Sequence, residues 1–202
     1  MREPWVVGVS GASGTPYAAA VLRGLLEAGE AVDLVVSRAA RLTLLDETGV
    51  AWHDDAPSLA AWAGLEGDVR FWGPADLAAG PSSGSYPTRG MVVVPASTAA
   101  VAGISLGLSK DLLQRAADVT LKERRPLVVV PRETPLGRAT LVQLLALHDA
   151  GATVLPASPG FYGGADSVQQ LVDFVAAKAL DVLGVEHALM KRWTGEIGGG
   201  RR

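Results

Sequence analysis

The sequence predicts an α/β domain of three layers, doubly wound, with a mostly parallel sheet of about six strands between two sheets of helices. Three observations carry that reading. Short β-branched runs alternate with alanine- and leucine-rich stretches of helical period along the chain, as in successive strand-helix units. Most of the strand runs are nearly continuous and apolar, the pattern of strands covered by helices on both faces. The chain has 202 residues, 49% of them hydrophobic, which suits one compact domain with a sizeable core.

The expected strands are Trp5 to Val9, Val32 to Val36, Val69 to Trp72, Met91 to Val94, Leu127 to Val130 and Thr153 to Leu155. Between the first two, Ser13 to Ala28 carries Tyr17, Val21, Leu22, Leu25 and Leu26 at helical spacing and stops at Gly29. Trp52 to Gly67 holds a short helix, and Asp76 to Gly90, rich in Gly, Pro and Ser, reads as a long functional loop. A helix spans Ser109 to Arg125, another starts with Thr134 as N-cap and Pro135 at its first position, and an amphipathic one closes the fold at Ser167 to Leu183. One domain over residues 1–194 with a frayed tail at 195–202 is the expected organisation.

Composition removes several function classes. Eighteen Lys and Arg against 21 Asp and Glu give a net charge of −3, so there is no overall electrostatic footprint for nucleic acid or an anionic membrane. The absence of cysteine excludes disulfides, a thiolate nucleophile and a cysteine metal site. His53, His148 and His187 are too dispersed to suggest a zinc cluster. Gly90 to Ser109 has the length of a membrane span but contains Pro95, Ser97, Thr98, Ser105 and three glycines, and the first apolar run leads into a glycine turn rather than a signal-peptide cleavage site. The expectation is a cytoplasmic protein.

Chemistry concentrates in the turns after strands. Gly8-Val-Ser-Gly-Ala-Ser-Gly14 joins the first strand to the first helix, where it is either a tight packing turn or a phosphate cradle at a helix N-terminus. Its spacing is not Gly-x-Gly-x-x-Gly, no P-loop lysine follows, and the second strand ends at Val36-Ser37 without an acidic residue for a ribose. A mononucleotide such as FMN fits better than a dinucleotide. Gly103-Ile-Ser-Leu-Gly107 satisfies a hydrolase string but falls inside a helical pattern, away from any strand end. Asp111, Arg115, Asp118 and Lys122 share one helix face, either as a solvated salt-bridge stripe or as part of a site. Pro131-Arg-Glu-Thr-Pro135 puts charges at the carboxyl end of a buried strand, where α/β ligand crevices form. Pro156 to Tyr162 is a rigid loop presenting one phenol.

Together these strings resemble the UbiX-like flavin prenyltransferases. The matching segments are Val9 to Gly14, Ser37 to Ala40, Ser83 to Ser85, Pro95 to Thr98, Arg115 to Arg125, Pro131 to Pro135, Pro159 to Tyr162 and Arg192-Trp193, in order over nearly the whole chain. The resemblance implies a Rossmann-like, flavodoxin-like, homo-oligomeric flavoprotein, dodecameric by family habit. It would transfer a dimethylallyl group from dimethylallyl monophosphate to N5 and C6 of reduced FMN, without metal, and hand prenylated FMN to a UbiD-like decarboxylase. Carried over by motif, Gly11, Ala12, Ser13, Ser37, Ser97, Thr98, Ala99, Ala100 and Arg132 would contact FMN. Ser83, Gly84, Arg115, Lys122, Arg132, Glu133, Tyr162 and Lys178 would hold the prenyl phosphate, with Glu133, Lys122, Tyr162, Glu47, Ser13 and Trp193 as the catalytic set.

The chain departs from the family in having Ala96 and Ala100 where cysteine and threonine are common, and Pro16 early in the first helix. The missing hydroxyl at position 100 bears on FMN affinity more than on the reaction. Two other readings share the cradle: an FMN-dependent decarboxylase of this fold, which would need a histidine after the first helix, and a flavin-binding delivery subunit without turnover.

Overall fold

The computed structural model describes residues 2–161 and 164–192. Along the chain run β1 (Trp5–Val9), α1 (Thr15–Glu27), β2 (Val32–Val36), α2 (Arg38–Thr48), α3 (Ala56–Ala63) and β3 (Val69–Trp72). They are followed by β4 (Gly90–Ala96), α4 (Thr98–Ser105), α5 (Leu112–Lys122), β5 (Leu127–Pro131), α6 (Arg138–Asp149), β6 (Thr153–Val154) and α7 (Val168–Leu183). All six strands are parallel in the order β3-β2-β1-β4-β5-β6.

The alternation of side chains across the pleat divides the core in two. Trp5, Val7, Val9, Leu34 and Val36 face one way, with Ala18, Val21, Leu22 and Leu25 of α1 and Val175, Ala179 and Leu180 of α7 packed on them. Val6, Val35, Met91, Val93 and Val129 face the other way, against Val101 of α4, Leu113 and Ala117 of α5 and Leu147 of α6. Every residue of β1, β2, β4 and β5 is buried, which explains why these strands read as unbroken apolar runs. The one ionisable group among them is Asp33, wholly buried in β2. Burial pushes its carboxyl up from the ordinary range, against Trp72, Tyr86 and the Arg70 guanidinium 3.8 Å away.

Strand order reverses between β1 and β4: the chain moves outward one way through β2 and β3, then returns to build β4, β5 and β6 on the other side. The turns leaving β1 and β4 therefore part at their carboxyl ends and open the crevice in which α/β sheets bind ligands. Pro95, which has no N–H for the ladder, falls at the irregularity between Val93 and Ala96 on this edge. Residues 73–89 cross from β3 to β4 with only the 3-10 turn Gly80–Ser82 as regular structure, so the expected long loop is a crossover laid over the face that carries Ala79. Among the described residues no helix is long and apolar enough to cross a membrane.

Two expected placements move and a third reading holds. The helix after β5 begins at Arg138 with Gly137 as N-cap, and not at Thr134-Pro135, whose peptide bond is cis. Asp111 is the N-cap of α5, accepting the Gln114 N–H at 2.9 Å, so it lies off the charged helix face to which its spacing assigned it. Ser105 is the last residue of α4, its hydroxyl donating to Ala102 O at 3.0 Å, which gives the Gly103–Gly107 string a helix-end role rather than a nucleophile turn.

Candidate active site

A cleft of about 450 Å³ opens at the switch point, inside the usual range for small-ligand sites. Gly11, Ser37, Ser97, Ala99 and Ala100 line it, all expected flavin contacts. Ser37 and Ser97 are the N-caps of α2 and α4, accepting from the Ala40 N–H at 3.1 Å and the Ala100 N–H at 3.2 Å. Capping uses each hydroxyl only as acceptor and leaves its O–H to donate to a bound group. Ser10 joins the two halves of the crevice, donating to Pro95 O at 2.8 Å and accepting the Ser97 N–H at 2.7 Å, so it works in the scaffold. A Cβ at Gly11 would overlap Ala39, which is why no larger residue fits where α2 passes the first turn. Ala12 is buried beneath that turn.

Sequence reasoning missed the remaining lining. Arg38 and Ala39 open α2, Pro74 and Ala75 follow β3, and Lys110, Asp111, Leu113 and Gln114 belong to the start of α5. The available signal was topological: each stands just after a strand's carboxyl end or at the start of a helix leading back from that edge. The lining combines apolar Ala39, Ala75, Ala99, Ala100 and Leu113 with a few converging polar groups. That donor set and volume fit FMN, with a flat apolar ring system and an anionic tail.

Beside the cleft, the glycine turn holds a carboxylate of the chain itself. Glu47 of α2 accepts the Gly14 N–H at 2.8 Å, the Thr15 N–H at 2.9 Å and the Thr15 hydroxyl at 2.6 Å. Gly14, at φ 111, has no side chain with which to cap α1, and Glu47 supplies that cap from the neighbouring helix. The first-turn amides expected to cradle phosphate are thus occupied at Gly14 and Thr15. Burial works to raise the Glu47 carboxyl, but the hydrogen bonds from Thr15, Ser13 and Gly14 outweigh it and hold the group below the ordinary range. Arg132, leaving β5, donates from Nε to Ser13 O at 2.9 Å, so Ser13, Glu47 and Arg132 form one group. Glu133 is exposed next to it and accepts its own Thr134 N–H at 2.9 Å. Thr98 opens α4 next to its cap.

Glu47→Gln is expected to destabilise the fold by about 1 kcal/mol at neutral pH, the usual worth of a helix cap. A carboxyl held low in the folded state stabilises above its unfolded pKa, and that contribution is lost as pH falls through the lowered folded value. Urea melts of both proteins should therefore converge on acidification. A gap unchanged between neutral and strongly acidic buffer would rule out the cap.

The other expected residues lie elsewhere in the single chain. Arg115 donates from Nε to Ser82 O at 3.0 Å and pairs with Asp118 at 2.8 Å. Lys122 pairs with Glu123 at 2.5 Å, and both crowd against Gly84, where a Cβ would overlap them. The Lys122 contact and charge lower the Glu123 carboxyl. Arg125 holds the same loop through Gly84 O at 2.9 Å and Tyr86 O at 3.0 Å, and the Ser83 and Ser85 hydroxyls are 2.9 Å apart. α5 starts at the cleft and ends at Lys122, about 15 Å further along its axis, where the chain enters the amino end of β5. Lys122 and Glu133 thus stand at opposite ends of the sheet, and no hydrogen bond or ion pair joins their groups among the described residues. Lys178 lies 3.3 Å from Asp181, which also takes Arg192 at 2.6 Å and His187 at 3.1 Å. Tyr162 and Trp193 lie outside the described residues.

The comparisons agree with this architecture. The model of the flavoprotein family matches residues 1–180. The chain is 64% identical to the flavin prenyltransferase UbiX of Streptomyces coelicolor, over 98% of each chain. It is 37% identical to AnUbiX, whose crystal structure is a complex with FMN and dimethylallyl pyrophosphate, with TM-score 0.86 over 97% of this chain and 100% of that one. A dodecameric FMN-dependent UbiX-like decarboxylase from Escherichia coli O157:H7 is 41% identical, with TM-score 0.85 over 95% of this chain and 100% of that one. A match at this identity over nearly the whole chain, on the same fold, means that the chain belongs to the flavoprotein family, among the UbiX-type flavin prenyltransferases.

Proposed function

We propose that this protein transfers a dimethylallyl group from dimethylallyl monophosphate to N5 and C6 of reduced FMN, closing a fourth ring and releasing phosphate. The observation that carries the reading is the switch-point cleft, flavin-sized and flanked by Arg132 and Glu133, in a chain 64% identical to a curated flavin prenyltransferase. Reduced FMN would supply the nucleophilic ring atoms: N5 and C6 would each give up a proton as they bond to the prenyl unit, and the prenyl double bond would take up one proton as the C6 bond closes the ring. The allylic C–O bond breaks with its electron pair leaving on phosphate, so positive charge develops on the prenyl carbons and negative charge on the leaving oxygen. Arg132, Lys122 and Lys178 offset that negative charge, and Glu133 exchanges a proton with the departing phosphate. The product would serve a UbiD-like decarboxylase.

The reaction needs an assembly. Lys122 stands at the other end of the sheet from Glu133 within one chain, so a site using both draws them from different copies, as a homo-oligomer allows. The dodecameric UbiX-like relative makes such an arrangement the expected one. Exposed Leu141, Val142 and Leu145 on α6 and Leu42 and Leu45 on α2 offer apolar surface for it.

An FMN-dependent decarboxylase is the less supported reading, because none of His53, His148 and His187 lines the cleft. The deciding experiment incubates the protein anaerobically with reduced FMN and dimethylallyl monophosphate and reads flavin mass. The prenyl adduct is expected, and with EDTA present as well, since no group of three or more His, Asp or Glu side chains that could hold a metal ion exists among the described residues. Unmodified FMN would refute the transfer; adduct lost with EDTA and restored by magnesium would refute metal independence.

A further inference from the structure

β2 carries one residue that packing does not explain. Asp33 is wholly buried in a strand whose other residues are Val and Leu, on the face it shares with Val35, where another valine would fill the space at lower cost. Neither of its carboxyl oxygens meets a donor in full hydrogen-bond geometry among the described residues. The groups that bear on it are Trp72 and Arg70 of β3 and Tyr86 of the crossover at residues 73–89, with the Asp68 carboxylate opposing its charge. Arg70 is its register partner in β3, with the guanidinium 3.8 Å from Oδ1.

Arg70 also donates to the Tyr86 hydroxyl. Accepting there leaves the phenol its own O–H, and burial pushes that phenol up while the Asp33 carboxyl adds to the push, so the O–H is kept to face the acid. The Tyr86 ring lies where a Cβ on Gly80 would stand, which packs it under the 3-10 turn Gly80–Ser82. The segment so tied is the one that meets Lys122: a Cβ on Gly84 would overlap Lys122 Nζ. Arg115 at Ser82 O, 3.0 Å, and Arg125 at Gly84 O, 2.9 Å, hold its backbone to α5 and to the turn after it. Held from that wall alone, the segment could still swing; Tyr86 adds a second wall, β2 and β3, and presents Gly84 to Lys122 in one place.

We propose that Asp33 is a positioning residue for prenyl transfer: through Arg70 and Tyr86 it fixes residues 80–86 against Lys122, and the fold retains a costly buried acid in return for a better-ordered substrate site. The proposal rests on the prenyl-transfer reading above and adds a residue that lies outside the switch-point cleft, among whose lining it does not appear. Being wholly buried, Asp33 acts only through the groups packed on it. Its effect on turnover is therefore the effect of the loop it holds.

The test compares the full-length wild type with Asp33→Asn, which keeps the volume without the charge, and Tyr86→Phe, which keeps the ring without the hydroxyl. The Ser82, Ser83 and Tyr86 amides bond to Ala79 O, Gly80 O and Ser83 O at 3.0, 3.0 and 3.2 Å, and their hydrogen exchange should quicken about threefold to tenfold in each variant, the effect of one net hydrogen bond. The requirement for dimethylallyl monophosphate should rise by a similar factor, with the rate at saturation within about twofold of wild type, as for lost binding rather than lost transition-state contact. Because the two residues act in series, the double variant should exceed the worse single one by no more than about twofold. Thermal melts of Asp33→Asn should be no lower than wild type, since a poorly compensated buried acid has been neutralised. A lowered melt with an unchanged requirement for prenyl phosphate assigns Asp33 to the fold alone and overturns the proposal. Should Asp33→Asn fail to fold, Tyr86→Phe decides: wild-type exchange and kinetics in it overturn the proposal. Wild type that forms no adduct overturns the prenyl reading, and with it the role in transfer, while the exchange rates still decide whether Asp33 and Tyr86 hold the loop.

Discussion

Replacing Glu133 by glutamine is expected to lower prenyl-flavin formation by about 100-fold or more while FMN is retained, the scale on which loss of an acid/base group acts. The amide keeps the volume of the side chain and can still accept the Thr134 N–H that Glu133 takes at 2.9 Å, so the turn after β5 should stand. It cannot exchange a proton with the leaving phosphate. The loss belongs in the rate at saturation rather than in the requirement for prenyl phosphate, because a proton transfer is used in the transition state and not in the ground-state complex. Glu133 is exposed and makes no ion pair among the described residues, so a merely structural role predicts near-normal turnover and stability within about 0.5 kcal/mol. Single-turnover formation of the adduct at the wild-type rate would assign the chemistry to another group.

The sheet and its order of helices were legible because β1, β2, β4 and β5 are buried on both faces and carry no alternation to confuse with amphipathic structure. The cleft lining was legible where it coincides with turn chemistry: Ser37 and Ser97 stand immediately after strands and cap the next helices. Two kinds of information were not in the local pattern. Glu47 caps α1 from 32 residues away in sequence, through Thr15, and only the packing of α2 beside α1 reveals it. Lys110, Asp111 and Gln114 reach the cleft because α5 starts there, whereas helical spacing suggested that Asp111 and Lys122 act together on one face. Periodicity gives the face of a helix and not which end of it meets a ligand. The distance along α5 separates residues that motif order groups into one site.

That separation yields the second large effect. Lys122→Ala should raise the requirement for dimethylallyl monophosphate about tenfold or more, from loss of a charge-assisted contact. In wild type without substrate, Lys122 is held by Glu123 at 2.5 Å, an exposed pair of little stabilising value, so the fold should survive the change. The decisive measurement mixes the two defects. If Lys122 and Glu133 of one chain served the same site, co-assembled Lys122→Ala and Glu133→Gln subunits could never form an intact one, and activity below saturation would stay at the level of the separate variants. If each site takes Glu133 from one copy and Lys122 from another, random assembly in equal amounts leaves about a quarter of the sites with both residues native, by the statistics of a symmetric oligomer. Activity should then return to about a quarter of wild type, well above either variant alone, since each is reduced at least about tenfold. Recovery is expected only after unfolding and reassembly or co-expression, and not on simple mixing of preformed assemblies. Rescue requires the two chains to meet in one particle, so its absence under co-assembly would place Lys122 and Glu133 of one chain in the same site, whereas near-wild-type kinetics of Lys122→Ala alone would return Lys122 to a surface role and leave Arg132 and Glu133 to act on the prenyl phosphate.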